Sequence, residues 1–208
     1  MKYELINPVK YSVFTQIFIN RGFEEKDISS YMSVAEEDLI DPLLLDNIVE
    51  GAKILVSHLS KESKIFIQID PDADGFTSAA FLINYLIRIA PSTRNRVTYR
   101  FHEGKEHGLI LDTIPEDVGL VIAPDSASNN LEVHKALKEK GMDVLILDHH
   151  ECDEISKYAC VINNQTCDYP NKTLSGVGIV YKFCSYIDSL LGTNNADDFI
   201  DLAALGIK

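Results

Sequence analysis

Apolar and polar positions change period several times along the chain, and each change predicts an element. Residues 12–60 follow a helical repeat, with Leu43, Leu44, Ile48, Ala52 and Leu55 recurring on one face. Asp41 followed by Pro42 reads as an N-cap with Pro at the first helical position. From residue 64 the pattern shifts to short apolar runs. Residues 64–69, 97–101, 120–123, 143–147 and 159–162 predict strands, and 78–89, 129–140, 176–191 and 197–205 predict helices. Strands alternating with helices predict an α/β fold, a parallel β-sheet flanked by helices on both faces. Strands apolar throughout fit a sheet covered on both sides. The expected organisation is a helical N-terminal segment, residues 1–60, packing on a main domain, 61–208.

Composition narrows the class. A chain of 208 residues, 46% apolar and 25% charged, suits one sizeable core with a small appendage. It has no run of about 18 apolar residues, so no membrane span is expected, and its first residues lack the apolar stretch of a signal peptide. Cys152, Cys160, Cys167 and Cys184 show no CxxC spacing, which points to reduced thiols and a cytoplasmic location. The net charge of −13 argues against broad binding to duplex DNA through phosphates. Part of that acid is explained if several Asp residues are metal ligands, since two divalent cations offset about four charges.

Three predicted strands run directly into Asp. The first leads to Asp70, Asp72 and Asp74, the second to Asp125, and the third to Asp148-His149-His150. In open α/β sheets, ligands bind outside the carboxyl ends of the strands. Neighbouring parallel strands would therefore gather these carboxylates and imidazoles at one edge, where a divalent metal relieves their repulsion. A carboxylate-and-His set suits Mn²⁺, Mg²⁺ or Fe²⁺ better than structural zinc. Taken singly, each Asp reads equally as a turn residue or helix cap. The bland alternative for the whole is an α/β domain with acidic loop edges.

In this order the motifs resemble the DHH phosphoesterase superfamily: Asp70-Pro71-Asp72-Ala73-Asp74-Gly75, then Asp125, then Asp148-His149-His150, then Asp201-Leu202-Ala203-Ala204-Leu205-Gly206. Within it the chain is most similar to the RecJ single-strand-specific exonucleases. Asn20-Arg21-Gly22, Tyr169-Pro170 and Leu174-Ser175-Gly176-Val177-Gly178 resemble RecJ segments, and Gln68 stands where the superfamily's pyrophosphatases carry His. Asn164 departs from the Pro often found there. The chain stops directly after the fourth motif, so the second, substrate-binding domain of RecJ proteins is expected to be absent and 61–208 to be the catalytic domain.

The resemblance implies a 5′→3′ exonuclease on single-stranded DNA, working with two divalent cations, Mn²⁺ first among candidates. Asp125 would bridge them. Asp72 would hold one, with Asp70 completing its shell, and Asp74, His149 and Asp201 the other. Asp148 would orient His149, and His150 would contact the phosphoryl oxygens. Arg100, Lys105, His107, Ser175, Gly176 and Gly178 are candidate substrate contacts. Single-strand-binding or replication and repair proteins are candidate partners. Two other functions stay open: a phosphodiesterase of short oligonucleotides or cyclic dinucleotides, which an acidic chain suits, and a non-catalytic assembly subunit. His58 and His134 are expected on helix surfaces, and Phe81 and Tyr85 in the core rather than stacking on bases.

Overall fold

The computed structural model describes residues 11–33 and 39–206, which fall into two compact units divided between Ile40 and Asp41. The first holds α1 (Val13–Asn20) and α2 (Glu25–Met32). Ser12 caps α1 by accepting from the Thr15 N–H. Gly22, at φ 90°, ends it: its N–H donates to Ile19 and that of Phe23 to Phe18. Phe14, Phe23 and Tyr31 all pack their rings on Phe18.

The second unit begins in a short 3₁₀ turn, Pro42–Leu44, capped by Asp41 through the Leu43 N–H. The expected cap is real, but it serves this turn. Asn47, in the left-handed region at φ 64°, breaks the path before α3 (Ile48–Ser60). The single helical phase read through residue 43 is therefore lost: Leu43 and Leu44 face solvent, and Leu45 enters the core. Helix α3 belongs to the sheet's unit, so the boundary expected at residue 60 is moved to 40/41.

Five strands follow: β1 (Ile65–Ile69), β2 (Val97–Phe101), β3 (Leu120–Pro124), β4 (Asp143–Asp148) and β5 (Cys160–Asn163). All pair in parallel, in the order β2-β1-β3-β4-β5. The helices between and after them are α4 (Ala73–Ile89), α5 (Leu131–Glu139), α6 (Gly176–Leu191) and α7 (Ile200–Gly206). Alternate residues of each strand face opposite layers. Phe66, Val121, Ala123, Val144, Ile146 and Val161 pack with Leu137 of α5 and with Leu109, Ile114 and Val118 of the preceding loop. On the other face lie α3, α4 and α6. Gly51 of α3 sits so close to Leu145, Ile162 and Phe183 that a Cβ would come 2.8 Å from the Ile162 Cδ1.

The α/β architecture with helices on both faces is thus as expected, and α6 has the expected bounds. Phe81 and Tyr85 are fully buried, but so is His134, and His58 is buried too, against the expected surface positions of both. The His58 Nε2 meets the Asp143 carboxylate at 3.0 Å. No helix among the described residues is long and apolar enough to cross a membrane.

Candidate metal centre

The strand order reverses direction at the β1/β3 boundary, the point where open parallel sheets leave a crevice at their carboxyl edge. Register brings the chemistry to that edge. Ile69 pairs with Phe101, so Asp70 and His102 leave their strands side by side, with His102 Nδ1 3.1 Å from Asp70 Oδ1. Asp148, ending β4, pairs with Asn163, ending β5. Asp125 follows β3 directly, and its N–H continues the ladder to Leu147.

Asp125 lies at the centre. Its φ is 67° and that of Ala127 is 81°, left-handed values that cost non-glycine residues on the order of 1 kcal/mol or more. The side chain is 1% exposed, and its Oδ1 is buried without a hydrogen-bond partner. His149 Nε2 stands 3.2 Å away without hydrogen-bonding geometry. Burial, only partly offset by His149, pushes the Asp125 carboxyl up to about 7. Two trios converge on it: Asp70, Asp72 and Asp125 on one side, and Asp125, His149 and His150 on the other, each with ligand atoms within 4.8 Å of one another. An orphaned buried oxygen shared by an all-carboxylate set and a carboxylate-imidazole set fits divalent-cation binding.

The first motif is partly a helix start. The Asp72 Oδ1 accepts from the Gly75 N–H at 2.8 Å, so α4 begins at Ala73, five residues before its expected start. Asp74 lies in its first turn and receives a second helix. The N–H groups of Gly176 and Val177, opening α6, donate to its two carboxylate oxygens at 2.7 and 2.8 Å. His149 Nε2 is 3.6 Å from the Asp74 Oδ2. Ser175 caps α6 by accepting from Gly178. The N–H groups of Gly176 and Gly178 are thus occupied within the protein. Gly176 thereby holds Asp74 and lies against Asp125, while Ser175 and Gly178 form the cap of the helix.

A second correction concerns Asp148. It does not orient His149; it accepts from His150 Nδ1 at 2.8 Å. It also accepts from the backbone N–H groups of His149, His150 and Ser128. Burial alone would raise its pKa, but hydrogen bonds from His150 and Ser128 outweigh burial and hold it low. The same bond carries His150 up to about 9. Asn163 locks the loop by donating to Ser128 Oγ and the His150 carbonyl.

The remaining expected residues divide. His107 lines a cleft of 420 Å³ with Asp70, Asp72, Asp125 and His150, its Nδ1 3.8 Å from Asp70. Lys105 is exposed on the same loop. Arg100 is held by Glu106 at 2.7 Å. Asp201, exposed in the first turn of α7, belongs to neither ligand trio. Gln68 is buried and donates to the Arg100 carbonyl of β2. His102, Asn163 and Ser128 were not singled out as site residues. The parallel register that places His102 beside Asp70 is the signal that finds it.

Residues 64–207 match the family described as DHH family, N-terminal domain. A prophage-derived protein of Bacillus subtilis (strain 168), YorK, provisionally named a single-strand DNA-specific exonuclease, is 42% identical over 99% of this chain. The single-stranded-DNA-specific exonuclease RecJ of the same organism is 29% identical over 91%. This chain spans 36% and 24% of their respective lengths. The crystal structure of RecJ in complex with Mn²⁺ from Thermus thermophilus superposes with a TM-score of 0.71 over 91% of this chain and 27% of that one, at 23% identity.

Proposed function

The chain belongs to the DHH family, and from that premise we propose that it is a metal-dependent phosphodiester hydrolase removing nucleotides from single-stranded DNA, with 5′→3′ polarity. The observation carrying the reading is the convergence of Asp70 and Asp72 from one side, and of His149 and His150 from the other, on the buried Asp125. The names of its relatives support the choice of single-stranded DNA.

Two cations fit these trios, Mn²⁺ first among candidates, with Asp125 in common. When bound, they would lower the pKa of the attacking water and neutralise charge on the phosphate. The chain's own groups do the rest. Asp74, gripped by the α6 N-terminus, holds its carboxylate against His149. Asp148 fixes the His150 ring by its Nδ1, leaving Nε2 to face the cleft. That nitrogen is the ligand atom His150 would offer to the trio with Asp125 and His149. His107 lines the cleft, where it can meet a flanking phosphate, and Lys105 stands exposed two residues before it on the same loop.

The test is a time course with Mn²⁺ and a 3′-labelled, 5′-phosphorylated single-stranded DNA 20-mer, beside a labelled dinucleotide. A ladder of labelled fragments that shortens stepwise is expected. Cleavage of the dinucleotide alone would give the small-nucleotide reading instead. No cleavage of either, with Mn²⁺ bound, would leave the assembly-subunit reading.

A further inference from the structure

Phe76, Tyr99 and Phe101 are 46, 55 and 46% exposed, a concentration of open aromatic surface beside the metal centre. Tyr99 and Phe101 project from the same face of β2, which is an edge strand. Phe76 reaches them from the first turn of α4. Ring centroids are 5.4 Å apart for Phe76 and Phe101, and 5.6 Å for Tyr99 and Phe101. The small side chains of Ala79 and Ala80 keep the α4 wall low, and Asn84 marks the far end of a groove of 380 Å³. The groove's lining adjoins that of the metal centre along the chain: Ile69 precedes Asp70, Phe76 follows Asp74 by two residues, and Phe101 precedes His102, which touches Asp70.

We propose that this groove stacks a nucleobase of the single strand whose phosphate the metal centre holds, a proposal that rests on the nuclease reading above. The occupant is argued from charge and continuity. A chain of net charge −13 repels a polyanion over most of its surface. The groove's lining contains no acidic residue, so a strand leaving the centre meets there apolar, planar walls with no carboxylate among them. Affinity for a single strand then comes from base stacking, which tolerates any base because every base has a π-face. The centre reads the backbone, and the groove holds the strand in place beside it.

The chain has no Trp, so Phe101→Trp gives a single stacking-competent reporter. Titration of that variant with oligo-dT 15-mer should quench its fluorescence. An abasic 15-mer of the same backbone should not. In parallel, Tyr99→Leu/Phe101→Leu keeps the groove apolar but removes the rings. It should bind oligo-dT about tenfold or more weaker than the parent chain, while Mn²⁺ still raises its Tm. Equal affinity of parent and double variant for oligo-dT, or equal quenching by the abasic strand, overturns the stacking site and leaves the nuclease reading standing. A parent chain that neither binds nor cleaves oligo-dT overturns both.

Discussion

Gly176 lies so close to Asp125 that a Cβ placed on it would come 2.1 Å from the Asp125 Oδ1. The glycine is demanded by a carboxylate rather than by a turn, and it leads α6 into contact with Asp74. Gly176→Ala is therefore expected to push Asp125 out of place or to tilt the helix. Overpacking of this kind costs about 1–3 kcal/mol. Phosphodiester hydrolysis should fall on the order of 100-fold, because a displacement near 1 Å is enough for that. A thermal melt beside a Mn²⁺-dependent rate separates the two effects.

Asp125→Asn should part stability from function. Without cations, Asp125 is a buried carboxylate crowded by Asp74 and Asp72. Neutralising it removes that repulsion, so the ion-free chain should melt a few degrees higher at neutral pH, roughly 2–4 °C per kcal/mol for a domain of this size. The rise in Tm that Mn²⁺ gives the parent chain should be lost. Calorimetric scans with chelator and with Mn²⁺ read both quantities; a variant that Mn²⁺ still stabilises in full would remove Asp125 from the centre.

Asp148→Asn and Asp201→Ala should behave oppositely. Asp148 accepts four hydrogen bonds, and an amide there would turn one N–H toward a donor. Activity should drop about 10–100-fold, as it does when a group orienting a metal-site His is lost. Asp201 lies outside both ligand trios, so Asp201→Ala should shift Mn²⁺ affinity much less than Asp72→Ala does. Isothermal titration of the three variants decides the order.

His134 sets an acid limit on stability. It is fully buried on α5, and neither ring nitrogen has a hydrogen-bond partner. Burial, which the nearby Ala127 backbone offsets only in part, pushes its pKa down to about 4 from an ordinary 6.5. The unfolded chain thus takes up a proton that the folded chain refuses between those values. Stability is intact above pH 6.5 and falls as pH drops toward 4, by up to roughly 3 kcal/mol from this group. His134→Leu should flatten that part of the curve, measured by urea unfolding at pH 7.5, 6, 5 and 4.5.

What could be read from the sequence was whatever leaves a periodic or compositional trace. The apolar runs of β1, β3 and β4, each ending in Asp, marked the edge of the sheet where the centre forms. Other features left no such trace. Asp and Gly are turn formers, so residues 70–75 read as a loop, although Asp72 caps a helix already begun at Ala73. Neutral burial of His134 depends on what α5 packs against, which its own helical repeat does not reveal. The partner of Asp148 is set by loop geometry: adjacent imidazoles compete for one carboxylate, and the backbone turn after β4 gives it to His150. The aromatics of β2 are spaced 23 and 25 residues from Phe76 of α4 in the chain and meet it only through the fold.

The clasp of Asp74 by the first N–H groups of α6 joins residues 102 and 103 positions apart. Closing so long a loop costs entropy, and the contact cannot form before residue 176 is available. A chain still on the ribosome can shape β1 and α4 long before residue 176 has emerged, yet its first-motif carboxylates then face water without their helix. Cation capture is thereby tied to completion of the sheet's covering layer, and a polypeptide stopped short of α6 would carry the acidic motifs without a formed centre.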